Sequence, residues 1–199
     1  MILPKEFYLK DTNVVAKKLI GKTILRKQNG INLTGIIVET EAYIGINDPA
    51  CHAFQKITPR NKIMFEEGGI SYVYFIYGNY YCFNIVTGKA GLGNAVLIRA
   101  IQPLKGIEHI KLNRKTTKET DMTNGPGKLC MALNITKIDN GIKLYSPKSP
   151  IQIKSGKNNV SDSEILRTKR IGITKGTDLL YRYILKNNTF ITPHKFNKI

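Results

Sequence analysis

Glu41 stands near the end of residues 33–42, a nearly continuous apolar run until it reaches Glu39-Thr40-Glu41. A charge in such a strand is costly unless it has a partner or a task. The task open to a carboxylate there is general-base work, with water as the group to be activated. Glu39 lies on the same face if the strand is regular. The plainer alternative is that both glutamates meet solvent at a strand end. Arg99 interrupts a second apolar strand, residues 95–100. A buried guanidinium needs a carboxylate or an anionic ligand, and Glu41, Glu39 or a phosphate would serve. Asn84 also falls in apolar sequence and needs hydrogen-bond partners there.

Residues 71–84 carry the strongest local pattern, Ser-Tyr-Val-Tyr-Phe-Ile-Tyr-Gly-Asn-Tyr-Tyr-Cys-Phe-Asn. They read as a β-hairpin closed at Gly78-Asn79, where glycine takes positive φ without strain. Tyr72, Tyr74 and Ile76 share one face, and Val73, Phe75 and Tyr77 the other. Tyr77 lands at the turn, where an ordinary hairpin carries charge. The chain has 31 Lys and Arg against 14 Asp and Glu, a net charge of +17 over 199 residues. Aromatic rings on a stiff ribbon in a basic protein suit nucleic acid: cations neutralise phosphate, and flat rings stack on or wedge between bases. His52, after a polar loop, has a donor for a base edge. Lysine far outnumbers arginine, so drift in an AT-rich genome accounts for part of the charge.

Other classes are poorly supported. Cys51, Cys82 and Cys130 are an odd, widely spaced set, against a disulfide framework or a zinc site. His52, His109 and His194 have no metal-ligand spacing, and neither glycine-rich piece fits a phosphate or dinucleotide loop. No cofactor or metal is expected. No apolar stretch suits a membrane span or a signal peptide, so a cytoplasmic location is expected.

The elements that position these residues are read as follows. Asp11 or Thr12 caps a helix with Val14, Val15, Leu19 and Ile20 on its apolar stripe, ended by Gly21. Residues 23–26, 33–42 and 95–100 are strands. Pro103 opens a helix that buries Leu104, Ile107 and Ile110. Residues 128–133 form a short helix or turn, and 135–157 alternate short strands with turns. Residues 160–167 suit a helix, and 179–185 suit strands that return to the core. From about Pro193 the chain reads as a loose tail. This is one compact α+β domain spanning residues 1–199.

Several motifs in series carry a resemblance. Glu39-Thr40-Glu41-Ala42-Tyr43-Ile44-Gly45 is followed by Asp48-Pro49-Ala50-Cys51-His52-Ala53, Thr58-Pro59-Arg60-Asn61 and Met64-Phe65. The tyrosine hairpin, Leu97-Ile98-Arg99-Ala100 with Pro103-Leu104, and Asn124-Gly125-Pro126-Gly127-Lys128-Leu129-Cys130 extend it. Arg170-Ile171-Gly172-Ile173 and Leu180-Tyr181-Arg182-Tyr183 follow. The whole resembles the alkyladenine (3-methyladenine, methylpurine) DNA glycosylase family, most densely over residues 36–133. The resemblance implies a curved, mainly antiparallel sheet with a protruding tyrosine-rich hairpin that enters the DNA minor groove. It implies Glu41 as the general base and Arg99 as the group that helps to hold the attacking water. It implies a base pocket walled by Tyr43, His52 and Tyr74. Asn84 would crowd the 2-amino group of guanine, and Tyr77 would fill the gap left by a flipped nucleotide. Asn79, polar beside this wedge, departs from relatives that carry an apolar residue there. The activity implied is hydrolytic release of damaged purines (3-methyladenine, 7-methylguanine, hypoxanthine, ethenoadenine) from double-stranded DNA by a monomer with no protein partner, leaving an abasic site without a lyase step. Two other readings stand beside it: a binding module without chemistry, which leaves Glu41 and Arg99 unexplained, and a sugar glycosidase pairing Glu39 with Glu41. The second has no use for the charge, and the chain lacks the tryptophan that carbohydrate sites favour.

Overall fold

The computed structural model describes residues 1–76, 78–156 and 160–198. Tyr77, the expected wedge, lies outside the described residues. The chain opens with a single helical turn, α1 (Lys5–Tyr8), and the expected helix, α2 (Thr12–Leu19). Asp11 caps α2 by accepting from the backbone N–H of Asn13 at 2.9 Å and of Val14 at 3.1 Å. Val15, Ala16 and Leu19 face the core, whereas Val14, expected on that stripe, is exposed.

Among the described residues eight strands form one sheet, antiparallel at every named pairing and curled into a half-barrel. They are β1 (Thr23–Gln28), β2 (Ile31–Tyr43), β3 (Ser71–Ile76), β4 (Tyr80–Thr87), β5 (Asn94–Lys105), β6 (Ile151–Lys154), β7 (Ile165–Thr168) and β8 (Arg182–Leu185). The order β3-β4-β5-β2-β1-β6 is a path to which β8 adds along the far half of β2, with β7 beyond it. β2 is therefore paired on both edges over most of its length. Its first half pairs with β1, and Glu39, Thr40 and Glu41 pair with Ile184, Tyr183 and Arg182 of β8. On the other edge the same three residues face Ala100, Ile98 and Leu97 of β5. The register with β5 shifts on either side of Glu39, the mark of a bulge that re-aims side chains. The glutamates thus lie inside the sheet and not at a solvated strand end; both are fully buried.

β3 and β4 pair in the hairpin register, from Ser71 opposite Ile85 to Ile76 opposite Tyr80, with Gly78 at φ +71° in the connection. Other expectations change. Pro103 does not open a helix: it continues β5 and pairs with Gly35, beside a second register shift where its missing N–H is tolerated. The helix starts later, as α3 (Ile107–Arg114), after Gly106 at φ +75°. Leu104 is left exposed, while Ile110 is buried and Ile107 packs against the core. Residues 160–167 are not helical. Ser161 and Glu164 form a reciprocal cap around one 3-10 turn, and Ile165 then enters β7, paired with β8. The segment 135–156 holds one strand, β6, and a 3-10 turn at Lys137–Asp139. The last described residues, expected to be loose, form a 3-10 turn at Lys195–Asn197. There Asn197 accepts from Arg182 at 2.8 Å, and the Phe196 carbonyl accepts from Thr168 at 2.9 Å.

The main core lies between the sheet and the helices α2 and α4 (Pro126–Ala132), around Leu19, Ile37, Phe83, Ile98, Leu129 and Ile101. A smaller cluster of Cys51, Met64, Tyr72 and Val86 supports the opposite face of the hairpin. All three cysteines are buried thiols.

Candidate active site

A cavity of about 550 Å³ opens where β2, β3, β4 and β5 meet the loop after β7. Tyr43, His52, Tyr74, Asn84 and Arg99 all line it, with residues 171–175 as the facing wall. Glu41 lies fully buried beside this lining, on the strand that carries Tyr43. Glu41 Oε2 accepts from Tyr43 Oη at 2.8 Å and from Arg99 Nη1 at 3.2 Å. Its Oε1 accepts from the backbone N–H of Ile171 at 2.8 Å. Three donors thus converge on the two carboxylate oxygens, in surroundings that keep bulk water out.

Glu39 has a different setting. Its Oε1 accepts from Arg182 Nε at 2.6 Å and from Arg99 Nε at 3.0 Å, and its Oε2 from the N–H of Thr192 at 2.7 Å. Both oxygens are engaged away from the cavity, so Glu39 is not the second member of a carboxylate pair at a substrate. It holds Arg99 by the Nε edge, which leaves the Nη edge directed to Glu41. Burial opposes the charge on Arg99, but Glu41 and Glu39 outweigh it and its pKa is raised.

The aromatic walls are locked in turn. Burial, and then the charge on Glu41, raise the Tyr43 pKa well above the ordinary phenol value, so its hydroxyl stays a donor. Arg170 lies 4.6 Å from the centre of the Tyr43 ring and 5.4 Å from that of Tyr181. It pairs with Asp48 through both terminal nitrogens, at 2.5 and 2.6 Å, with both side chains fully buried. His52 Nδ1 is 3.1 Å from Tyr72 Oη, and its ring meets Tyr74 edge-on at 4.6 Å. Burial first, and the nearby Arg60 second, lower the His52 pKa. Asn84 Nδ2 donates to the Tyr72 carbonyl at 3.0 Å, across the rung that pairs these two residues. Among the described residues no three His, Cys, Asp or Glu side chains come together as a metal site.

The sequence model of the family described as methylpurine-DNA glycosylase matches residues 6–189. The chain belongs to the methylpurine-DNA glycosylase family. A relative from Francisella tularensis is 48% identical over 177 residues, covering 89% of this chain and 91% of its own. One from Carboxydothermus hydrogenoformans is 47% identical over 192 residues, covering 96% and 99%. One from Clostridium botulinum is 45% identical over 204 residues, again covering 96% and 99%. Each bears the name "Putative 3-methyladenine DNA glycosylase". The family consists of hydrolytic DNA glycosylases that act in DNA repair, and this chain matches it across nearly all of its length. Among the described residues no helix is long and apolar enough to cross a membrane.

Sequence reasoning placed Tyr72 on the hairpin but gave no site role to this residue, whose hydroxyl lies 3.1 Å from His52 Nδ1, nor to Asp48 or Arg170. It also missed the Ile171 N–H. A backbone donor leaves no signature in residue type, whereas Arg170 and Asp48 stood in the motifs as charges within apolar or turn sequence.

Proposed function

We propose that this protein flips damaged purines out of duplex DNA into the tyrosine-lined cavity and hydrolyses their N-glycosidic bond. The observation that carries the proposal is Glu41: a wholly buried carboxylate held by Tyr43, Arg99 and the Ile171 N–H beside a cavity lined by aromatic rings, in a chain of net charge +17. Lysines draw the protein to DNA without regard to sequence. Tyr77 enters the minor groove and fills the space of the extruded nucleotide. Flipping costs a few kcal/mol, less for a damaged and weakly paired base, and aromatic contacts return about 1–3 kcal/mol per base. Glu41 takes a proton from water as it attacks the anomeric carbon, and its charge stabilises the cationic sugar of the transition state. Arg99 orients the carboxylate and helps to hold the water. Asn84 crowds the 2-amino group of guanine and so protects the undamaged base.

The substrates proposed are 3-methyladenine, 7-methylguanine, hypoxanthine and ethenoadenine. An alkylated, cationic purine leaves readily, whereas a neutral one relies more on the pocket. The protein acts as a cytoplasmic monomer without a cofactor or an obligate protein partner and leaves an abasic site. Lys175 lines the cavity but is exposed, and no lysine is singled out as a Schiff-base nucleophile.

The test is incubation of duplex oligonucleotides, each carrying one of these lesions, followed by alkaline cleavage of abasic sites. Strand breaks at the lesion only after alkali are expected. Breaks without alkali, or a borohydride-trapped covalent complex, would indicate a lyase. Binding without base release from any lesion would favour a recognition module.

A further inference from the structure

Both tyrosine walls of the cavity are backed by a guanidinium, but the two are not electrically alike. Behind Tyr43, Arg170 is neutralised by its two contacts to Asp48. Arg99 and Arg182 share Glu39 and Glu41. Behind Tyr74, Arg60 lies 5.0 Å from the ring centre and donates to the Phe75 carbonyl at 3.1 Å. No carboxylate pairs with Arg60 among the described residues. Tyr74 lines the cavity and Arg60 does not, so the cation approaches the ring from outside. The loop that carries it is fixed by Asn61, whose Nδ2 donates to the carbonyls of His52 at 2.6 Å and Lys56 at 3.1 Å. The placement of this charge is therefore built in.

We propose that Arg60 is a specificity-determining residue that biases the cavity against cationic purines and toward neutral ones. The proposal rests on the glycosylase reading above. A cation over an aromatic ring draws on the negative charge of its π-face, an attraction worth about 2- to 30-fold in an equilibrium. Arg60 already uses that face density from behind Tyr74, so a cationic alkylpurine gains less from the same ring. The two positive charges also repel, and because Arg60 is exposed, water screens part of that repulsion. Both effects have one sign. A neutral purine feels neither strongly, and it stacks on the ring whether or not Arg60 is present. The effect narrows the gap between lesions that leave easily because they are cationic and lesions that leave slowly because they are neutral.

The experiment compares Arg60→Gln and Arg60→Lys with the parent on two duplexes, one with 7-methylguanine and one with hypoxanthine. Single-turnover rates are measured at saturating protein and corrected for spontaneous base loss. Arg60→Gln removes the charge, and the ratio of 7-methylguanine to hypoxanthine excision should rise about threefold. Arg60→Lys keeps the charge and should retain the parent's ratio. Loss of a phosphate contact or a looser loop would slow both reactions alike and leave the ratio unmoved, which overturns the proposal. A rise with Lys equal to that with Gln also overturns it, because charge would then not be the cause. If the parent releases neither base, the glycosylase reading itself fails. If it releases both and the ratio stays fixed, only the role of Arg60 is lost.

Discussion

Replacing Glu41 with Gln tests the chemistry and the geometry together. The two oxygens of Glu41 meet three donors: Tyr43 Oη and Arg99 Nη1 at Oε2, and the Ile171 N–H at Oε1. A glutamine has one oxygen and one NH₂. The oxygen will turn to the side where two donors converge, and the NH₂ then faces the Ile171 N–H, donor against donor. The variant loses one charge-assisted hydrogen bond and weakens the Arg99 contact, while Arg99 keeps Glu39 at 3.0 Å. A loss of about 1.5–3 kcal/mol follows. At about 2–4 °C per kcal/mol for a chain of this size, the melting midpoint should fall by about 3–12 °C. Removal of the proposed general base should slow base release about 10²- to 10⁴-fold, or about 2.7–5.4 kcal/mol of barrier. Affinity for lesion DNA should be kept or improved, because the substitution removes a negative charge from a protein whose proposed ligand is a polyanion. Single-turnover excision, lesion binding and thermal melting, all on the same preparation well below both midpoints, separate the effects. Excision within about threefold of the parent would refute a general-base role whatever the stability change. An unchanged midpoint would refute the three-donor arrangement.

Asn84→Ser shortens a side chain on the cavity wall and removes its bond to the Tyr72 carbonyl. Release of undamaged or mispaired guanine should increase, and a variant that still removes alkyladenine without gaining on guanine rejects the filter. His52 should titrate below its ordinary 6.5, from burial first and the Arg60 charge second. Folding then favours the neutral ring, so this residue's share of stability is present above pH 6.5 and lost as the pH falls toward the folded-state value. Loss of the cation in Arg60→Gln should move the His52 titration, followed by NMR of the imidazole, upward; a downward or absent shift contradicts the placement of Arg60. Binding to undamaged duplex should fall linearly in log–log form with salt, by about 0.9 per phosphate contact. Single-turnover release from a saturated complex should change little. A flat salt dependence of binding would mean that the lysines make few phosphate contacts.

The local elements were legible because their signals are local. Asp11 before an apolar stripe, the alternating tyrosines before Gly78-Asn79, and the apolar runs of β2 and β5 each need only a short window of sequence. Glu41 and Arg99 stood out as charges inside those runs. Their environment was not legible, since it depends on β8 pairing along β2 from 143 residues away. That pairing turns an apparent strand end into the middle of a sheet. Pro103 misled for a related reason: a helix-opening residue type was overruled by a bulge opposite Gly35. Residues 160–167 suited a helix, but after a single capped 3-10 turn Ile165 pairs with β8 instead. The Arg170–Asp48 pair, 122 residues apart, could be seen only as two unexplained charges.

The donors around Glu39 and Glu41 also impose an order on the molecule's birth. Ribosomal synthesis presents β2 early, but Ile171 follows Glu41 by 130 residues and Thr192 follows Glu39 by 153. Until those donors arrive, two carboxylates in an apolar strand share one guanidinium, and the end of β2 has no β8 to pair with. On the proposed mechanism, a nascent or proteolysed chain that stops short keeps its lysines and tyrosines, yet has no settled carboxylate to act as the base. On that reading base release awaits the final segments, so fragments of this protein should be harmless to an intact genome.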